Sequence, residues 1–208
     1  MLSLIASALK RNDEEPNIAL AEELAKSKNE NGIAEIVSGL NMDKATANDC
    51  IKVLYEIGER NPKLIVSYTK VFSDLLKSKN NRLVWGAMTA LGQITALCPN
   101  EVFESFENIY AAFETGSVIT VDQGISVFAA LCKADKAFEQ RILPVLINHF
   151  AACRAKEIPQ HFERAAVCIT SDNAAPFKQI IQKRYDEMTV AQQTRVNKAF
   201  KKIDSLPA

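Results

Sequence analysis

Hydrophobic positions recur along the chain at a fixed step of 37 residues. Leu54 is followed at this step by Leu91 and then by Phe128. Three further ladders keep the same step: Phe72, Ile109 and Leu146; Leu76, Phe113 and Phe150; and Phe106, Leu143 and Ile180. A constant period in this range is typical of stacked units, because one unit cannot bury its apolar face alone. The sequence therefore predicts a repeat architecture.

Each repeat predicts two helices. On a helical wheel of residues 84–96, the apolar side chains fall on one side, and Trp85, Thr89 and Gln93 fall on the other. The segments between such helices are amphipathic as well, and turn signals such as Asn61-Pro62 separate them. No segment shows the sustained period-two alternation of a strand. We therefore expect an all-α chain of about five two-helix units, forming a single domain over 1–208 with atypical capping units at 1–43 and 174–208.

Two segments resemble the helices of the HEAT repeat. ILPVLINHF, residues 142–150, is similar to its first helix, and NRLVWGAMTALGQI, residues 81–94, is similar to its second. The resemblance extends over residues 30 to 190 and implies a right-handed α-α superhelix, or α-solenoid, of the armadillo-like class. HEAT second helices usually carry Arg after a Val. The corresponding positions here are Asn48, Trp85, Asp122 and Pro159. In HEAT repeats these arginines pair with aspartates in the turns and form a polar ladder. Without such a ladder, the stacking of the units is expected to depend more on apolar contact.

The composition excludes several classes of protein. Side chains are 48% hydrophobic and 24% charged, which argues against a disordered or fibrous chain. The 25 Lys and Arg balance the 25 Asp and Glu, so no overall field attracts nucleic acid or an anionic membrane. No apolar run reaches the length of a membrane span, and the first residues lack the pattern of a secretory signal. Five cysteines without CxxC spacing indicate reduced thiols and a cytoplasmic protein.

Few side chains are arranged for chemistry. His149 and Cys153 lie four residues apart on one helical face, with Glu157 one turn further on. A structural zinc site commonly has four ligands, so we interpret this pair as a packed thiol and a satisfied imidazole. His161 and Cys168 are seven residues apart, which is too far for a direct hydrogen bond along a helix. With no G-x-S-x-G, P-loop or dinucleotide glycine pattern either, the sequence predicts no enzyme, no metal and no cofactor.

The charge distribution leaves one alternative open. Residues 176–204 carry seven basic and three acidic side chains, a net of +4, and residues 1–62 carry seven basic and eleven acidic ones, a net of −4. Some HEAT-like folds are DNA glycosylases, so a nucleic-acid-binding or base-excision protein that uses the basic C-terminal end is the alternative function. We favour a solvated terminal face, because few aromatic residues are interleaved with these charges.

The outward positions of successive second helices are predicted to form a binding groove. In HEAT-like arrays this face is typically the concave one. Small residues would form the floor of the groove, and Tyr55 and Trp85 would stand at one side. The predicted protein-binding residues are Lys52, Tyr55, Trp85, Thr89, Gln93, Asp122 and Ser126. We therefore predict a non-catalytic interaction scaffold or adaptor for another protein, which binds a helix or peptide with Trp85 as anchor.

Two expectations about Trp85 follow. Its angular distance from the core positions of its own helix predicts an exposed indole, and its polar neighbours Asn48 and Asp122 should leave one ring face open. The alternative is that the indole covers a neighbouring helix in place of the missing Arg.

Overall fold

The computed structural model of the chain describes residues 1–205, and helices occupy most of this range. No strand occurs within it, so the predicted all-α class is confirmed. The twelve α-helices of these residues are α1 Glu15–Ser27, α2 Glu30–Gly39, α3 Lys44–Arg60, α4 Thr69–Leu75, α5 Asn81–Ile94, α6 Pro99–Phe103, α7 Phe106–Thr115, α8 Val118–Ala134, α9 Lys136–Ala152, α10 Ile158–Ala165, α11 Ala174–Lys183 and α12 Val190–Asp204.

The helices follow one another in pairs along the chain. After α1 the pairs are α2–α3, α4–α5, α7–α8, α9–α10 and α11–α12, and the short α6 precedes α7. The second members α3, α5 and α8 are those that the sequence predicted to carry the outward positions. Five pairs agree with the expected number of two-helix units.

Short polar side chains start several of these helices. Asp43 accepts hydrogen bonds from the backbone N–H groups of Ala45 (3.0 Å) and Thr46 (3.2 Å) at the start of α3. Thr189 and Gln192 form a reciprocal capping box at the start of α12. Such caps satisfy donors that have no partner inside the helix, and each stabilises it by about 1 kcal/mol. Residues with the same role at α2, α5 and α9 are Asn29, Asn80 and Asp135.

The chain divides into two compact bodies, Met1–Gly124 and Ile125–Ala208. In the N-terminal body, α3 packs against α1, α2 and α5. In the C-terminal body, α9 packs against α11 and α10 against α12. Phe150 lies at the centre of that body, with its ring edge-on to the rings of Phe162 (6.1 Å) and Phe177 (5.9 Å). The single domain over 1–208, with its capping units, stays a prediction.

None of the described helices is both long enough and apolar enough to cross a membrane.

Candidate interaction surface

The outward side of α5 carries Trp85, Thr89 and Gln93, which we call the Trp85 face. These side chains are four residues apart, so they lie on one side of the helix, and each is half-buried. The start of α5 is anchored on α3. Asn80 caps the helix by accepting from Arg82 N (3.1 Å), and its Nδ2 donates to Asn48 Oδ1 at 2.8 Å.

Trp85 contacts a neighbouring helix as well as solvent. Its ring centroid lies 5.6 Å from that of Tyr55 on α3, with the ring planes inclined at 49°. The Arg82 guanidinium carbon lies 5.3 Å from the centroid of the indole. The indole is therefore half-buried, because Tyr55 and Arg82 lie against it, and the open ring face stays a prediction. The indole partly covers α3, as the alternative proposed.

A network of charges lies behind the Trp85 face. Lys52 Nζ contacts Glu56 Oε1 at 2.7 Å and Glu14 Oε2 at 3.1 Å, and it lies 4.9 Å from the centroid of the Tyr55 ring. Arg60 pairs with Glu56 at 2.6 Å. Lys52 and Tyr55 are only 7% and 9% exposed, so they offer a partner little surface.

The network is fully charged near neutral pH. Burial opposes the charge of Lys52, but hydrogen bonds to Glu56, Tyr55 and Glu14 outweigh it and raise the pKa of Lys52. Burial also opposes the charge of Glu56, and its contacts with Lys52 and Arg60 outweigh that effect and lower its pKa. The pKa of Glu14 is lowered for the same reason, by Arg82 and Lys52 against its burial. The arrangement is therefore held by charge-assisted hydrogen bonds.

The two remaining side chains of the Trp85 face differ in what they offer. Thr89 Oγ1 donates to the Trp85 carbonyl oxygen at 2.8 Å, so its hydroxyl proton is already used. Gln93 Oε1 is buried and has no hydrogen-bond partner among the described residues. It lies against Gly58, where an added Cβ would come within 2.1 Å of it. Gln93 therefore depends on a glycine of α3 for its position.

Asp122 and Ser126 continue the predicted row on α8. Both side chains are half-buried. Ser126 belongs to the C-terminal body, where its Oγ accepts a hydrogen bond from Arg164 Nη1 at 2.7 Å. The structure thus brings Lys52, Tyr55 and Trp85 together with the rest of the α5 row, and the extension of the row to Asp122 and Ser126 stays a prediction.

An open pocket of about 500 Å³ adjoins this region, and the sequence did not predict it. It is lined by residues of the segment 6–14 and by Ala45, Asn48, Asp49 and Arg82. Asp49 fixes the segment by accepting from Ser7 N at 2.7 Å and from Asn17 Nδ2 at 2.8 Å. Ser7 Oγ and Arg82 Nε are buried here and have no hydrogen-bond partner within residues 1–205. Glu14, which looks in the sequence like one more solvated carboxylate, pairs with Arg82 at the same place.

The basic C-terminal end is partly neutralised by ion pairs. Arg195 pairs with Glu163 at 2.6 Å, Arg184 pairs with Glu187 at 2.7 Å, and Lys178 pairs with Asp204. Three of the seven basic residues between positions 176 and 204 therefore already have acidic partners. This pairing reduces the field that a nucleic-acid phosphate would experience.

The thiols are poorly placed for nucleophilic chemistry. Burial is the main cause that raises the pKa of Cys50, to about 12, and it also raises the pKa of Cys153. A nucleophilic cysteine needs the thiolate form, which burial disfavours at both positions. Cys168 is 3% exposed, and its Sγ donates to the carbonyl oxygen of Ala165 at 3.1 Å.

No protein-family model and no curated protein matches the chain. Solved structures of engineered repeat proteins do match. An engineered protein that is 16% identical aligns with a TM-score of 0.70 over 98% of this chain and 96% of that one. Computationally designed armadillo repeat proteins for modular peptide recognition align at 0.69 with 11% identity, over 94% and 93% of the two chains. A designed armadillo repeat protein in complex with the peptide (KR)4 aligns at 0.66 with 11% identity, over 96% and 89%.

These likenesses establish the fold. The chain has the armadillo/HEAT-like α-solenoid fold that the resemblance to HEAT helices implied, and this fold agrees with the repeat architecture predicted by the 37-residue ladders.

Proposed function

We propose that this protein is a non-catalytic cytoplasmic scaffold that binds a peptide or helix of another protein on the Trp85 face. One observation carries the proposal: Trp85 is kept half-exposed by contacts with Tyr55 and Arg82. Tryptophan is among the residues most often found at the energetic centre of an interface. An indole that is already held in one position loses little side-chain freedom on binding, which favours affinity.

Two further features support a peptide as the partner. The fold is shared with designed armadillo repeat proteins, one of which is in complex with the peptide (KR)4. The first 62 residues of this chain, which include the segment beside the pocket and all of α3, carry a net charge of −4. Complementary charge speeds association and favours the correct partner. A peptide with basic residues beside an apolar one therefore fits this region best.

Substitution of Trp85, the only tryptophan of the chain, provides the test. A displayed random-peptide library would be selected on the wild-type protein, and the affinities of the selected peptides would be measured by fluorescence anisotropy. We expect Trp85→Ala to weaken binding by about 2 kcal/mol or more, which is a factor of about 30. Met42→Ala is the matched control, since Met42 is an exposed apolar residue of the same body outside α5.

Two outcomes would overturn the proposal. The first is a selection that yields no peptide able to bind the folded protein in solution. The second is a set of peptides whose affinity for Trp85→Ala equals that for Met42→Ala and the wild type, because Trp85 would then take no part in binding.

A further inference from the structure

His149, Cys153 and His161 converge in the C-terminal body. His149 is on the last turn of α9, Cys153 ends that helix, and His161 belongs to α10. His149 Nε2 lies 2.8 Å from His161 Nδ1. The two ring nitrogens and Cys153 Sγ all lie within 4.8 Å of one another. The sequence suggested His149 and Cys153 with Glu157 one turn further on, whereas in the structure the third group is His161, which the turn over residues 154–157 brings to the pair.

The surrounding contacts hold these three groups in place. Arg184 Nη1 donates to the carbonyl oxygens of Phe150 (2.9 Å) and Cys153 (2.6 Å), so it fixes the end of α9. The same Nη1 lies 3.9 Å from Cys153 Sγ, so Arg184 contacts the side chain of Cys153 as well as its carbonyl oxygen. His161 is 1% exposed, so its ring cannot swing into solvent without opening the body.

We propose that His149 Nε2, His161 Nδ1 and Cys153 Sγ bind a zinc ion, with a water molecule or an external ligand in the fourth position. Two imidazoles and one thiolate form a donor set that zinc accepts in proteins. Zinc–nitrogen bonds of about 2.0–2.1 Å and a zinc–sulfur bond of about 2.3 Å in a tetrahedron place ligand atoms about 3.3–3.6 Å apart. The ring nitrogens of His149 and His161 are now 2.8 Å apart, and all three ligand atoms lie within 4.8 Å of one another. Only small side-chain movements are therefore needed to reach the tetrahedral spacing.

The metal would take the place of a proton. One of the two rings supplies the hydrogen between His149 Nε2 and His161 Nδ1, and the thiol of Cys153 carries another. Binding of Zn²⁺ would move the ring hydrogen to the outer nitrogen of the same imidazole and release only the thiol proton to solvent, so that two nitrogen lone pairs and the thiolate hold the ion. The ion would join the end of α9 to α10. The consequence is a metal-dependent brace inside the C-terminal body, whereas the Trp85 face belongs to the N-terminal body.

The test uses Co²⁺, a spectroscopically visible substitute for zinc, added to the reduced wild-type protein in a buffer with a non-thiol reductant. We expect one equivalent to bind and to produce the near-ultraviolet band of a sulfur-to-cobalt charge transfer, which Zn²⁺ then abolishes by displacement. Cys153→Ser should lose the band, and His149→Ala should bind Co²⁺ at least tenfold more weakly. Cys98→Ser is the matched control and should keep the band, since Cys98 lies in the N-terminal body.

Cys153→Ser and His149→Ala change half-buried side chains, so both variants are expected to fold. Far-ultraviolet circular dichroism checks this expectation. A second measurement is thermal unfolding, in which Zn²⁺ should raise the midpoint for the wild type and for Trp85→Ala but not for Cys153→Ser. The proposal is overturned if no charge-transfer band appears at one equivalent of Co²⁺, or if the band persists in Cys153→Ser. The 2.8 Å contact between the rings of His149 and His161 is then a plain hydrogen bond.

Discussion

Gly86 of α5 lies directly against Ile51 of α3. A Cβ at position 86 would come within 2.6 Å of Ile51 Cγ1 and 3.3 Å of Cγ2, closer than such atoms pack without a shift. Alanine in a helix interior is normally more stable than glycine by about 1 kcal/mol. We expect the opposite sign here: Gly86→Ala should destabilise the protein by about 1–3 kcal/mol, because the added methyl overpacks the contact. Urea unfolding measures this difference.

A double-mutant cycle isolates this contact. Ile51→Ala removes both γ-carbons and should leave room for the methyl of Gly86→Ala. The double variant should therefore be more stable than the sum of the single effects by at least about 1 kcal/mol. Additive effects, or a stabilising Gly86→Ala, would mean that the two helices are farther apart than described.

Phe113 of α7 is the central residue of its ladder and is 3% exposed. Its Cδ2 lies against Gly124 of α8, where an added Cβ would be 2.7 Å away. Phe113→Ala should cost about 3–5 kcal/mol, as for other buried aromatic residues. Leu97→Ala is the control: Leu97 is 44% exposed, and its replacement should change stability by less than about 0.5 kcal/mol. A Phe113→Ala loss below about 1 kcal/mol in denaturant unfolding would contradict the assignment of the ladder to the core.

The carboxylates around Lys52 should make stability depend on pH. Contacts with Lys52 and Arg60 lower the pKa of Glu56, and contacts with Arg82 and Lys52 lower that of Glu14, in both cases against the effect of burial. A group whose pKa is lower in the folded state stabilises the fold above its unfolded pKa and loses that effect as the pH falls. We therefore expect a loss of stability below about pH 4.5, the region where unfolded glutamates begin to protonate.

Glu56→Gln tests this interpretation, because it leaves Lys52 with Glu14 alone. It should cost about 1–3 kcal/mol at pH 7, and its stability should fall less steeply than that of the wild type between about pH 5 and pH 3. Urea unfolding at several pH values gives both quantities. Parallel curves for the two proteins would show that Glu56 does not contribute to the acid sensitivity.

Asn173 connects three groups in the C-terminal body. Its Nδ2 donates to Glu139 Oε1 at 2.9 Å and to the Cys168 carbonyl oxygen at 3.0 Å, and its Oδ1 accepts from Thr170 N at 2.9 Å. Asn173→Asp replaces the donor by a carboxylate that faces Glu139. It should destabilise the protein at pH 7 by about 3 kcal/mol, more than the loss of about 2 kcal/mol expected for Asn173→Ala.

Acid should reverse the order of these two variants, because the new carboxyl group of Asn173→Asp donates a hydrogen bond again once it is protonated. Asn148→Asp serves as control, since Asn148 is exposed on α9 and its replacement should be nearly neutral. Circular dichroism during chemical unfolding follows all three variants. Equal losses for Asn173→Asp and Asn173→Ala at both pH values would count against the described hydrogen bonds.

The sequence predicted the helix pairs well, because apolar spacing and turn signals such as Asn61-Pro62 are local properties of the chain. It failed where a side chain meets a helix from another part of the chain. The wheel placed Trp85 away from its own core correctly but had no information on Tyr55, which is 30 residues earlier. Glu14 looked solvated because its cationic partners, Lys52 and Arg82, are far away in sequence. His161 was missed as a partner of His149 because a turn separates their helices.

The position of Trp85 has a consequence for how unfolding can be observed. Trp85 belongs to the N-terminal body, while far-ultraviolet circular dichroism reports on the helices of both bodies. Coincident transitions by the two probes would define one cooperative unit, and an earlier or later fluorescence transition would define two. The chain thus contains a natural reporter for the cooperativity of its own folding.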